Sequence, residues 1–264
     1  MSRISYETAK PLAAVSVTLL LALLSTGCVS SSPQRAESSN SENAAEFNVQ
    51  LGIAYLQQGN LTLAQEKLER ALEQNSRDPN VHTALGLLND RLDRTRDADD
   101  HFRTALRLAP RDPDVLNNYA VYLCKRGRHD EGVKRFQEVA NNRLYRTPEA
   151  AYTNAGVCQQ SAQRFEAAEQ LYRRALAVRP NYAEGAWQLG NLLLQLGRPA
   201  DAKTHVDSYL ANFSASADLL LLGVQASRAT GDVRAEERFA RRLKVDFPDS
   251  AQARSLANLP RNPG

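Results

Sequence analysis

The stretch AGVCQQSAQRFEAAEQLYRRALAVRP (residues 155–180) decides how this chain is read. Gly156 sits early in an apolar run. Small Ala168 follows, then large Tyr172, and Pro180 closes the unit. The same order returns in LGIAYLQQGNLTLAQEKLERAL (51–72), LGLLNDRLDRTRDADDHFRTALRLAP (85–110) and LGNLLLQLGRPADAKTHVDSYL (189–210). From Gly52 to Gly86 is 34 residues, and so is Gly156 to Gly190. A fixed period of this length marks a repeat architecture.

The residue types explain the period. Glycine at the eighth position lets one helix of a pair approach the other closely. The small residue at the twentieth (Ala64, Ala98, Gly132, Ala168, Ala202) does the same from the second helix. The twenty-fourth (Leu68, Phe102, Phe136, Tyr172, Val206) fills the space between repeats, and Pro110, Pro180 and Pro248 end the second helices. The pattern resembles the tetratricopeptide repeat, which implies an all-α, right-handed superhelix (solenoid) of six tandem repeats with a concave surface lined by the first, or A, helices. The registers are 45–78, 79–112, 113–146, 149–182, 183–216 and 217–250, with two extra residues in NNRLYRTP before the fourth. In the sixth, Val224 replaces Gly and Glu236 replaces Ala, as expected of a capping repeat. Residues 251–264 read as a helical turn followed by a frayed tail.

The N-terminus carries a different signal. Arg3 and Lys10 precede the apolar run Pro11–Leu24 (PLAAVSVTLLLALL), which is too short to cross a hydrocarbon core of roughly 30 Å. Small residues follow, so residues 1–27 read as a secretory signal peptide. LSTGC (24–28) resembles a bacterial lipobox, with Leu24 one place upstream of the usual Leu. The resemblance implies cleavage before Cys28, acylation of that residue and stable anchoring in a bilayer. Val29 in place of Asp implies transfer to the periplasmic face of the outer membrane. Residues 28–44, rich in Ser and Asn, read as a flexible tether.

With Cys28 acylated, Cys124 and Cys158 remain, both in an oxidising compartment. They stand on the A helices of the third and fourth repeats, which are neighbours in the stack. One reading is a disulfide that staples the repeats across the insert, worth about 4 kcal/mol for a loop of ~34 residues. The other is two independently buried thiols.

The chain has 33 basic and 30 acidic residues, net +3, without the basic footprint that nucleic-acid binding needs. His82, His101, His129 and His205 sit at unrelated repeat positions with no metal-ligand spacing, and there is no phosphate-binding glycine loop or Gly-x-Ser-x-Gly. Charge runs such as RTRDADDHFR read as solvated helix faces with i,i+4 pairs. The expectation is a binding protein with no enzyme activity, cofactor, metal or small-molecule substrate. Its expected partner groove is lined by Val49, Ile53 and Leu56 in the first repeat, Thr83, Leu87 and Asp90 in the second, Asn117, Val121 and Lys125 in the third, and Trp187, Asn191 and Leu194 in the fifth. Trp187 fits either a binding anchor or a core residue. The apolar strip of the first repeat, with no earlier repeat to cover it, is expected to await a partner or the folded-back tether.

NNYAVYLCKRGRHDEGVKRF (117–136) and NRLYRTPEAAYTNAGVC (142–158) are more specific than the generic repeat residues. They resemble the type IV pilus biogenesis and stability lipoproteins of the PilF/PilW, or pilotin, family, with Ala120 where Gly is usual. That resemblance implies an acyl-anchored adaptor that helps the secretin, the pilus pore of the outer membrane, to localise and oligomerise. The competing expectation is an envelope scaffold that recruits peptidoglycan enzymes or outer-membrane assembly factors.

Overall fold

The computed structural model describes residues 33–256 apart from Leu144, with side chains from Asn40 onward. The signal peptide, Cys28 and the last residues of the tail lie outside them. The chain divides into two units, residues 1–41 and 42–264. Thirteen helices and no strand occur among the described residues.

They pair as the period requires. α1 (Pro33–Gln57) with α2 (Leu61–Gln74), α3 (Pro79–Arg91) with α4 (Thr95–Leu108), and α5 (Pro113–Lys125) with α6 (His129–Ala140) make the first three repeats. α7 (Pro148–Ser161) with α8 (Phe165–Val178), α9 (Ala183–Gln195) with α10 (Pro199–Asn212), and α11 (Ala217–Ala229) with α12 (Val233–Asp246) make the rest; α13 (Ala251–Ser255) is the turn after them. The molecule is an all-α tetratricopeptide solenoid.

Local chemistry sets the boundaries. α3 and α5 start at Asp-Pro: proline tolerates the first helical position, and the aspartate caps it. Asp78 accepts from the Asn80 amide at 2.8 Å, and Asp112 from those of Asp114 and Val115. Within each repeat, the turn between helices places its fifteenth residue at positive φ: Gly59, Asp93, Gly127, Gln163, Gly197 and Gly231. The next amide then donates back to the carbonyl five residues earlier, at 2.8 to 2.9 Å in all six turns, for instance Arg128 to Leu123. This is the Schellman closure of a helix C-terminus.

The close approaches foreseen at the eighth position are present. A Cβ on Gly52 would stand 2.5 Å from Leu68, and one on Gly156 2.5 Å from Tyr172. Leu68, Phe102, Phe136, Tyr172 and Val206 are all buried to within 1%. Burying side chains of this kind stabilises by about 1.5–3 kcal/mol each. The sixth repeat keeps the device one residue earlier: a Cβ on Gly223 would stand 2.9 Å from Phe239, and Ala235 is buried. Val224 and Glu236 therefore reflect a one-residue shift of the packing positions, which still pack closely.

One boundary is corrected. Residues 33–44, read above as flexible tether, are helical and form the first turns of α1. Pro33 suits the first helical position, and PQRAESSNSENAA contains no glycine to break the run. A helix already nucleated by the packed residues from Ala45 onward extends cheaply in the N-terminal direction.

Candidate functional site

The A helices supply the positions expected to face a partner, but packing divides them. Val49 and Leu56 are buried, 5% and 7% exposed, in a cluster with Ala64, Leu68, Leu85 and Leu88, and Ile53 is half-buried against it. The first-repeat strip is therefore core, a correction to the expectation of an uncovered patch. α2 and α3 cover this side of α1, so no earlier repeat is needed. In the second repeat Thr83 is buried and donates to the Pro79 carbonyl at 2.8 Å. Leu87 is half-buried between the first and second repeat clusters. Asp90 is buried and held by Lys125 at 2.6 Å and Arg126 at 2.5 Å. Asp90 thus fastens the second repeat to the third.

The third and fourth repeats differ. Cys124 on α5 and Cys158 on α7 form a disulfide, with Cα atoms 5.5 Å apart. Gly132 on α6 leaves room for it, since a Cβ there would overlap the Cys124 sulfur and stand 3.0 Å from the Ala120 carbonyl oxygen. Beside the bridge lies a cavity of about 540 Å³, lined by Val121 and Lys125 from α5, His129 from α6, and Asn154, Val157 and Ser161 from α7. Val121 is 47% exposed and Val157 42%. The Asn154 side-chain Nδ2 donates to the Asn117 side-chain Oδ1 across the two helices at 3.3 Å. The result is an open apolar hollow with the Asn154 amide in its wall, itself bonded to Asn117, and one ammonium, Lys125, neutralised in part by Asp90. It presents features suited to an extended segment with an apolar side chain. The sequence reading named Asn117, Val121 and Lys125 but passed over Asn154 and Val157. Val157 occupies the ninth position of the fourth repeat, the equivalent of Val121, and that register was the available signal.

Trp187 is half-buried, packs against the cluster of the last two repeats, and also lines a cavity of about 300 Å³ with Asn191, Leu221 and Gln225. The Asn191 side-chain nitrogen is buried without a hydrogen-bond partner.

The charge runs are more than solvated faces. Asp99, in RTRDADDHFR, makes the foreseen i,i+4 pair with Arg103 at 2.9 Å. It also accepts from Arg128 at 2.8 Å and from the Tyr119 hydroxyl at 2.9 Å, both in the next repeat. Arg198 reaches back to buried Glu169 in the same way, at 2.9 Å, and Arg164 to Asp130. The sixteenth-position arginines of the third, fourth and fifth repeats thus bind the preceding repeat's second helix. Hydrogen bonding to Arg164 holds the Asp130 carboxyl below its usual range.

Comparison with known proteins agrees with this architecture. The sequence pattern described as "Tetratricopeptide repeat" matches residues 49–94, 113–181 and 160–226. The "Type IV pilus assembly protein PilF" of Pseudomonas aeruginosa is 27% identical over 235 residues, covering 88% of this chain and 93% of that protein. The structure reported under "Functional Characterization of Pseudomonas Aeruginosa pilF" superposes with TM-score 0.61 and 25% identity, over 83% of this chain and 99% of that one. The crystal structure of PilW, described as a "widely conserved type IV pilus biogenesis factor", also gives TM-score 0.61 and 25% identity, over 81% and 98%. Repeat pattern, near full-length similarity and shared fold together make this chain a tetratricopeptide-repeat protein of the type IV pilus biogenesis family that includes PilF and PilW.

Proposed function

We propose that the chain is a pilotin: an adaptor held by acyl chains on Cys28 at the periplasmic face of the outer membrane, which binds the type IV pilus secretin and promotes its localisation and oligomerisation. The observation that carries this reading is the open hollow between α5 and α7, where two equivalent valines, Val121 and Val157, stay exposed beside a covalently fixed helix pair. A disulfide limits how far α5 and α7 move apart, so the hollow is preorganised and binding costs little ordering entropy. Apolar side chains supply affinity, and the Asn117–Asn154 pair supplies backbone-type hydrogen bonding. The role needs no catalytic group, because its work is differential binding and transport on a lipid anchor.

The test is a strain carrying Val121→Glu and Val157→Glu together. Both sites are well exposed, and circular dichroism of the purified variant checks that it keeps its helicity. The account predicts fewer secretin multimers in the outer membrane and impaired piliation. A variant with unaltered helicity and wild-type levels of secretin multimer contradicts it.

A further inference from the structure

α12 stands apart from the other second helices. It carries Arg234, Arg238, Arg241, Arg242 and Lys244 against Glu236, Glu237 and Asp246, for a net +2. Within their spans α2, α6 and α10 are net negative, and α4 and α8 are neutral. Its inner face is fixed by buried Ala235, Phe239 and Leu243. On the opposite arc, Val233 and Val245 are 62% and 72% exposed, among the most exposed large apolar residues described. Around them are Arg234, Arg238, Arg241 and Lys244, placed there by the helical repeat of 3.6 residues. A shallow hollow of about 460 Å³ runs among Arg234, Arg238, Arg241, Arg242 and Val245, with Glu237 and Asp246 also in its wall, so four guanidinium groups face two carboxylates there. Arg238 is engaged by Asp207 at 3.0 Å and Arg242 by Asp246 at 3.0 Å, while Glu237 is the one carboxylate on the outer arc.

Valine is a mediocre helix former, and exposing it to water brings no gain. A helix with guanidinium and ammonium groups around exposed apolar residues gains from both when it lies on a phosphate-bearing lipid surface: the cations meet headgroups and the valines leave water. We propose that the outer face of α12 is a docking surface for an anionic bilayer, with lipid headgroup phosphates seated among Arg234, Arg238 and Arg241. An acidic polypeptide would satisfy the cations but leave Val233 and Val245 without a role. The contact extends the anchored reading above: it would lay the last repeat on the membrane as a second attachment independent of the acyl chains.

The experiment uses the chain from residue 29 onward, which keeps α1 whole and lacks Cys28. Co-sedimentation is measured with vesicles of phosphatidylglycerol mixed with phosphatidylcholine, and with vesicles of phosphatidylcholine alone. The expected result is salt-sensitive binding to the anionic vesicles only. Arg234→Glu with Arg241→Glu should weaken it roughly thirtyfold at unchanged helicity, equivalent to about 1 kcal/mol for each basic residue lost near an anionic surface. Val233→Ser with Val245→Ser should weaken it as well. Equal binding to both kinds of vesicle, no binding to either, or insensitivity to the arginine reversals overturns the proposal. Because the acyl anchor is absent from this chain, failure here leaves the pilotin reading standing.

Discussion

The fifteenth residue of each repeat must adopt a left-handed backbone for the helix pair to close. Glycine meets this four times without strain; Asp93 and Gln163 do so with a side chain. A Cβ on Gly127 would meet nothing within 4 Å, so substitution there isolates the backbone effect. Gly127→Ala should destabilise the unit by about 1 kcal/mol, and Gln163→Gly should stabilise it by about 0.5 kcal/mol. Urea denaturation of both variants measures this, and shifts of the same sign would refute the assignment. The two non-glycine turns also explain why this position escaped the sequence reading, which keyed on glycines at the eighth.

At the scale of the helix, the Cys124–Cys158 bridge joins α5 to α7 directly. Closing a chain separation of 34 residues restricts the unfolded state by about 3–4 kcal/mol. A stacked-repeat protein opens locally, so the loss should be local. Replacing both cysteines with serine should speed amide exchange most in α5, α6 and α7, with less change in α1–α3 and α11–α12. Uniform acceleration along the chain would contradict this. Repeat boundaries were legible because Asp-Pro starts, glycine approaches and fully buried twenty-fourth residues are each dictated by local chemistry. The fate of the A-helix positions was not. Val49 and Thr83 occupy the same register as Asn117, yet the first two are buried and Asn117 is half-exposed. That difference depends on how neighbouring helices lie across one another, which a repeat pattern does not encode. Likewise, an arginine at the sixteenth position reads as a surface charge until the preceding repeat's carboxylate is placed beside it.

Across the whole molecule, stability is a sum over interfaces, and two histidines make it depend on pH. His205 bonds the Ala186 carbonyl at 2.9 Å, and burial lowers its pKa. His101, whose Nδ1 lies 3.1 Å from that of His82, is also lowered, by burial first and then by His82. A histidine with a depressed folded pKa binds fewer protons folded than unfolded. Stability is therefore full above the unfolded value of about 6.5 and falls as pH drops below it. The urea midpoint should decline between about pH 7.5 and pH 5.5, and His205→Gln should flatten that decline. An unchanged slope in the variant would assign the sensitivity elsewhere.

The central claim is that the hollow between α5 and α7 holds a segment of another polypeptide. The most direct measurement places a photo-crosslinking amino acid at Val121 or Val157 in living cells and identifies the captured chain by mass spectrometry. The account predicts a covalent adduct with the secretin from both positions, and none from the outward-facing control Val178. Absence of secretin from the Val121 and Val157 adducts, or equal capture at Val178, would contradict it.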